Sequence, residues 1–121
     1  DIALEMALIQ KHRMIVMKVS GEIDHHTAGK MRAVLETELK RTGAVNIALD
    51  LKDVGFMDSS GVGMIIGRYK TVSALGGNII IYNASSQIKR LLRMSGMQKI
   101  VIICETLREG IDIINGKRIT R

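Results

Sequence analysis

The run Ala44-Val45-Asn46-Ile47-Ala48-Leu49-Asp50-Leu51 and the segment Phe56-Met57-Asp58-Ser59-Ser60-Gly61-Val62-Gly63-Met64-Ile65-Ile66-Gly67-Arg68-Tyr69-Lys70 decide how this chain folds. The first is short and apolar, as expected of a core strand bounded by polar residues. Through the second and its continuation, Val62, Ile65, Ile66, Tyr69 and Val72 recur at helical spacing over residues 60–75, and Gly76-Gly77 supplies the stop. A core strand therefore hands over to a helix at Asp58-Ser59-Ser60-Gly61. That corner carries a carboxylate, two hydroxyls and a glycine.

The same alternation continues downstream. Residues 78–82 read as a strand, and Ser86 can cap a helix carrying Ile88, Leu91, Leu92 and Ser95, closed by Gly96. Residues 100–104 read as another strand. Thr106 and Glu109 have the spacing of a capping box that opens a last helix to about residue 114. Upstream, residues 3–8 and 13–19 read as two strands joined by a turn over 9–12, with Ser20-Gly21-Glu22 breaking the second. Over 26–41, Ala28, Met31, Val34, Leu35 and Leu39 share one helical face, with Asp24 or Thr27 near its start and Gly43 at its end. Strand–helix alternation after an opening hairpin predicts an α/β fold with a parallel or mixed sheet. Strand order is not readable from local pattern.

A length of 121 residues fits one domain with a single core. Hydrophobic residues are 46% and charged residues 25%, the balance of a folded chain rather than a disordered one. No apolar run approaches the roughly 20 residues that span a bilayer, and no basic-then-apolar leader is seen. A cytoplasmic location is the expectation. The single cysteine, Cys104, lies in an apolar run and reads as a buried structural thiol. The net charge of +6 raises the question of nucleic acid, but the positives are scattered apart from Lys89, Arg90, Arg93 and a basic tail over 116–121 with Lys117, Arg118 and Arg121. Aromatics are only 2%, which leaves no stacking platform, and no DNA-reading motif is present. Solvated helix faces account for the charge better.

Catalytic constellations are not assembled. Met57 and Asp58, two residues before each serine, are not the glycine of a Gly-x-Ser-x-Gly elbow. His12, His25 and His26 lie far upstream, and adjacent histidines do not share a face for a metal. No catalytic residue, metal set or cofactor loop is expected. Gly61, Gly63 and Gly67 miss the phosphate-loop and dinucleotide patterns. Gly63 and Gly67, four apart, read as a close approach of helix to sheet, at about 1 kcal/mol each in helix propensity, with weak nucleotide contact at the helix N-terminus as the alternative. The Asp58-Ser59 corner leaves two readings open. Asp58 or Ser59 caps the helix, worth about 1 kcal/mol. Alternatively a serine here is a switch, since phosphate adds about 1.5 to 2 negative charges that repel Asp58 or an acidic partner.

The segments Ser20-Gly21-Glu22-Ile23-Asp24-His25-His26-Thr27-Ala28, Asp50-Leu51, 56–70 and 89–100 resemble, in order and spacing, the anti-sigma factor antagonists of the STAS family. The likeness covers about residues 3–115. Gly-Glu-Ile-Asp-His-His and Gly-Arg-Tyr-Lys are most similar to the branch that acts in endospore formation. The resemblance implies a STAS-type mixed β-sheet with an N-terminal hairpin and about four helices, on one main face, in a single domain over 1–121. It implies a switch without catalysis. The unphosphorylated protein would bind an anti-sigma factor serine kinase and free the sigma factor. The kinase would phosphorylate Ser59, with Ser60 the alternative acceptor, and a PP2C-type phosphatase would reverse this. Asp24, Asp58, Ser59, Ser60 and Gly61 would form the docking surface. A general-stress antagonist of the same type, or a nucleotide- or lipid-sensing STAS module, are the alternatives. Ser85-Ser86, where many relatives have Ser-Pro, is a departure.

Overall fold

Parallel pairing requires a long crossover, and here each crossover is a helix. A computed structural model describes residues 2–116. The order is β1 (Ile2–Ile9), β2 (Met14–Ile23), α1 (His25–Thr42), β3 (Asn46–Met57), α2 (Ser59–Ala74), β4 (Ile79–Tyr82), α3 (Ser86–Met94), β5 (Ile102–Cys104) and α4 (Leu107–Ile114), with 3-10 turns at Gln10–His12 and Met97–Lys99. The strands form one sheet in the order β1-β2-β3-β4-β5. The first pair is antiparallel, the other three parallel, so the sheet is mixed as expected.

The crossovers from β2 to β5 step in one direction across the sheet, which puts α1, α2 and α3 on the same face. Ala28, Met31 and Leu35 of α1, Val62, Ile65 and Val72 of α2 and Ile88 and Leu92 of α3 bury against Met17, Val19, Ile47, Leu49, Ile79 and Ile81. The opposite face packs Ile111 of α4 on Met14, Ala48, Ile80, Tyr82 and Cys104. β4 is buried along its whole length because both of its faces are covered. Three helices thus lie on the main face, and α4 covers the other.

Several boundaries differ from the local reading. Ser20-Gly21-Glu22 does not break β2, which continues to Ile23 through register shifts between Lys18 and Ser20 and between Gly21 and Glu22. Gly21 takes φ 120°, a conformation open to glycine, and the irregularity is absorbed there. β3 likewise runs on to Met57 instead of ending near Leu51, because it keeps pairing with β2. β5 is shorter than expected, since the N–H groups of Ile100 and Val101 donate back to Met97 O at 3.0 and 2.9 Å and hold both residues at the end of the 3-10 turn. Ser85, not Ser86, caps α3, accepting from Ile88 N at 3.2 Å. In the Thr106–Glu109 pair the threonine caps α4, but the Glu109 carboxylate accepts from Glu105 N instead of closing the box. The basic residues Lys117, Arg118 and Arg121 lie outside the described residues.

Candidate functional site

Register brings the site together. The last parallel pair of β2 and β3 is Ile23 with Met57, and Asp58 N donates to Ile23 O at 3.1 Å. The residues that follow, Asp24 and Asp58, therefore stand side by side at the carboxyl ends of two parallel strands, where open α/β sheets present their functional loops. Each caps a helix in nearly the same backbone conformation: φ −113° and ψ −172° at Asp24, φ −109° and ψ −172° at Asp58. Since α1 and α2 follow parallel strands, their N-termini, with their partial positive charge, open at the same corner.

The two caps differ in how much they are used. Asp24 Oδ1 accepts from Thr27 N at 2.9 Å, and Thr27 Oγ1 accepts from Asp24 N at 2.8 Å while donating to Glu22 O at 2.7 Å. This reciprocal box involves both residues that the sequence offered as alternatives. The hydrogen bond from the Thr27 backbone holds the Asp24 carboxyl below its ordinary pKa. At the second corner Asp58 Oδ1 accepts from Ser60 N at 2.8 Å.

Asp58 therefore does the capping, and Ser59 is released from it. Ser59 is exposed at the first position of α2, and its hydroxyl makes no hydrogen bond among the described residues. Ser60 is half-buried and faces the groove between α1 and α2. Gly61 is buried; a Cβ there would lie 2.6 Å from Met57 Cγ and 3.0 Å from Ile23 Cγ2. The first turn of α2 sits that close to the strand ends, which fixes the height of the serines above the sheet.

Gly63 and Gly67 do not serve the close packing expected of them. A Cβ at either would meet nothing within 4 Å, and both line the α1–α2 groove together with His25, Arg32 and Arg68. Two further features were not singled out from the sequence. Phe56 is 46% exposed at the corner end of β3, an unusual place for the only phenylalanine in the chain. Arg68 is buried, a position its helical spacing of four from Met64 would have suggested. Among the described residues no group of three or more His, Cys, Asp or Glu is placed to hold a metal ion. No described helix is long and apolar enough to cross a membrane.

The STAS domain model matches residues 5–110. An anti-sigma F factor antagonist of Paenibacillus polymyxa is 40% identical over 104 residues, 85% of this chain and 86% of that protein. An anti-sigma-B factor antagonist of Bacillus subtilis is 33% identical over 102 residues, 84% of this chain and 92% of that one. Among solved structures, the anti-sigma factor antagonist SpoIIAA in its unphosphorylated form superposes with a TM-score of 0.73 at 28% identity, covering 94% of this chain and 99% of that chain.

Proposed function

The chain belongs to the STAS-domain family, and we propose that it is an anti-sigma factor antagonist switched by phosphorylation of Ser59. In this reading the unphosphorylated protein docks through Asp24, Asp58, Ser59 and Ser60, with the buried Gly61 setting their height from below, on an anti-sigma factor serine kinase and releases the sigma factor. The kinase then transfers phosphate to Ser59, docking is lost, and a PP2C-type phosphatase restores it. The chain performs no catalysis itself and works in the cytoplasm. The relative at 40% identity, named for sigma F, favours a sporulation-specific sigma factor over a general-stress one.

The observation that carries the switch is the division of labour at the corner. Asp58 holds the helix end, while the Ser59 hydroxyl is exposed and makes no hydrogen bond among the described residues. A kinase can take that hydroxyl without dismantling a cap. The added charge then sits beside Asp58 and at the N-terminus of α2. Local repulsion and bulk act on the docking surface, while the core below, closed by Gly61 against Met57 and Ile23, keeps its packing. Phe56 adds an exposed aromatic to the same surface, the type of side chain that anchors protein interfaces.

The test uses the purified protein with the anti-sigma kinase encoded in the same genome, ATP, and mass spectrometry of the products. One phosphate on Ser59, with complex formation only by the unmodified protein, is the expected result. Ser59→Ala should still bind the kinase and accept no phosphate. Absence of both binding and modification refutes the proposal; modification confined to Ser60 moves the switch by one residue and refutes the Ser59 assignment.

A further inference from the structure

The groove between α1 and α2 has chemistry that docking and phosphorylation at the corner do not use. It holds about 310 Å³ and opens at the paired helix N-termini. On one wall His25 and Arg32 are seven residues apart, and on the other Ser60 and Arg68 are eight apart. At 1.5 Å per residue the groove is therefore about 10 to 12 Å long. Gly63 and Gly67 leave two gaps in its α2 wall between the side chains of Ser60, Met64 and Arg68, and a Cβ at either position would point into open space. None of its described lining residues is acidic.

Its inner end is held by an unbalanced set of charges. Glu36 Oε1 accepts from Arg32 Nε at 3.0 Å and pairs with Arg68 Nη2 at 3.2 Å, so one carboxylate serves two guanidinium groups. The Arg68 side chain is only 10% exposed, and its Nε and Nη1 are buried with no hydrogen-bond partner among the described residues. Buried donors of a charged group are expected to have acceptors, and orphaned ones call for an explanation. Both nitrogens are closed to water. An acceptor inside the groove would meet them once the planar guanidinium turned toward it.

We propose that the α1–α2 groove is a binding site for a phosphate-class oxyanion, held between Arg32 and Arg68 with the Ser60 hydroxyl and the passage along the two glycine gaps leading in from the corner. Arginine donors in a planar fork suit a tetrahedral oxyanion with several acceptor oxygens. The excess of cationic over acidic groups makes the site selective for anions. The two glycine gaps give the ion a route past the first turn of α2. This site concerns the isolated protein and does not depend on which partner docks at Ser59.

The test is a titration of the isotope-labelled protein, followed by amide and Arg Nε–H resonances, with sodium phosphate against sodium chloride at matched ionic strength. Saturable shifts at Gly29, Gly63, Gly67 and Arg68 with phosphate only are expected. O-phosphoserine in a parallel arm distinguishes a phosphorylated side chain from the free ion as the source; saturation by either supports the site. Arg68→Met should weaken binding at least about tenfold. Because a buried arginine variant can unfold, Gly67→Leu provides the second reading: it fills the groove at a position with open space, so binding should vanish while the melting transition is kept. Shifts no different from those with chloride overturn the proposal. So do saturable shifts that persist in Gly67→Leu, and so does saturation by acetate with none by phosphate.

Discussion

Replacing Ser59 and Asp58 separately by alanine should divide the corner into a functional and a structural half. Asp58→Ala removes the acceptor at 2.8 Å from Ser60 N and leaves an N-terminal donor of α2 without its cap. Loss of a capping carboxylate costs about 1 kcal/mol, within a range of about 0.5 to 2. For a chain of this size that corresponds to a fall of roughly 3–6 °C in melting temperature. Ser59→Ala deletes a hydroxyl that makes no hydrogen bond among the described residues and stands in water, so its effect should stay within about 0.5 kcal/mol. Ser59→Asp should also change stability little. Its repulsion from the Asp58 charge, about 0.7 kcal/mol at about 6 Å in water-like surroundings, opposes an attraction to the helix N-terminus of about 0.3 to 1 kcal/mol. Urea unfolding of the three variants, fitted with a common slope, and kinase binding of the same samples make the assay. Ser59→Asp should lose binding with its midpoint unmoved. A Ser59→Ala loss equal to that of Asp58→Ala would refute the reasoning, because the hydroxyl would then be part of the cap.

Other expectations follow from single contacts. Gly77→Ala should be severely destabilising, by about 3 kcal/mol or more in urea unfolding, because its Cβ would fall 1.6 Å from the Val45 carbonyl oxygen and backbone has to move. The Asp24 carboxyl titrates below its ordinary range in the folded protein, so its contribution is present above the unfolded value, near pH 4, and is lost as pH falls through the lower folded value. Asp24→Asn keeps a capping oxygen without the titration, and its stability curve below about pH 4 should be the flatter of the two. The Cys104 thiol, raised to about 11 by burial first and the Glu109 carboxylate second, should resist alkylation at pH 8 in the native protein and react on unfolding, as followed by mass spectrometry. Rapid native labelling would show that the thiol is not shielded by α4.

How much of the fold was legible depends on the range of the interactions that set it. Helix faces and ends are local properties: Leu35 and Leu39 bury on one side of α1, and Gly43 closes it with a left-handed φ of 71°. These could be read from spacing and residue type. The ends of β2 and β3 could not, because hydrogen bonds to a strand more than thirty residues away carry each through Gly21 or past Leu51. The choice of Ser85 over its neighbour as the α3 cap depends on how the chain leaves β4. The role of Gly63 and Gly67 is hidden from local pattern for a related reason. Spacing says that they share a face of α2, but not whether that face meets the sheet or a groove.

For the site, the sequence by itself determined the chemical inventory: a carboxylate and two hydroxyls at a strand-to-helix corner, a second capping aspartate near residue 24, and no triad or metal motif in the pattern of residues. It left open whether Asp58 or Ser59 holds the helix end. Only the tertiary structure decided that, because a hydrogen bond is a matter of direction and distance, and Asp58 Oδ1 is the oxygen aimed at Ser60 N. The parallel register decided the rest. Pairing Ile23 with Met57 sets two distant aspartate caps side by side and opens two helix N-termini at one edge. Packing α2 against α1 then buries Arg68 where its sequence neighbours are glycine and tyrosine. Which residues share a corner is fixed by long-range hydrogen bonding, and a one-dimensional pattern carries no distance.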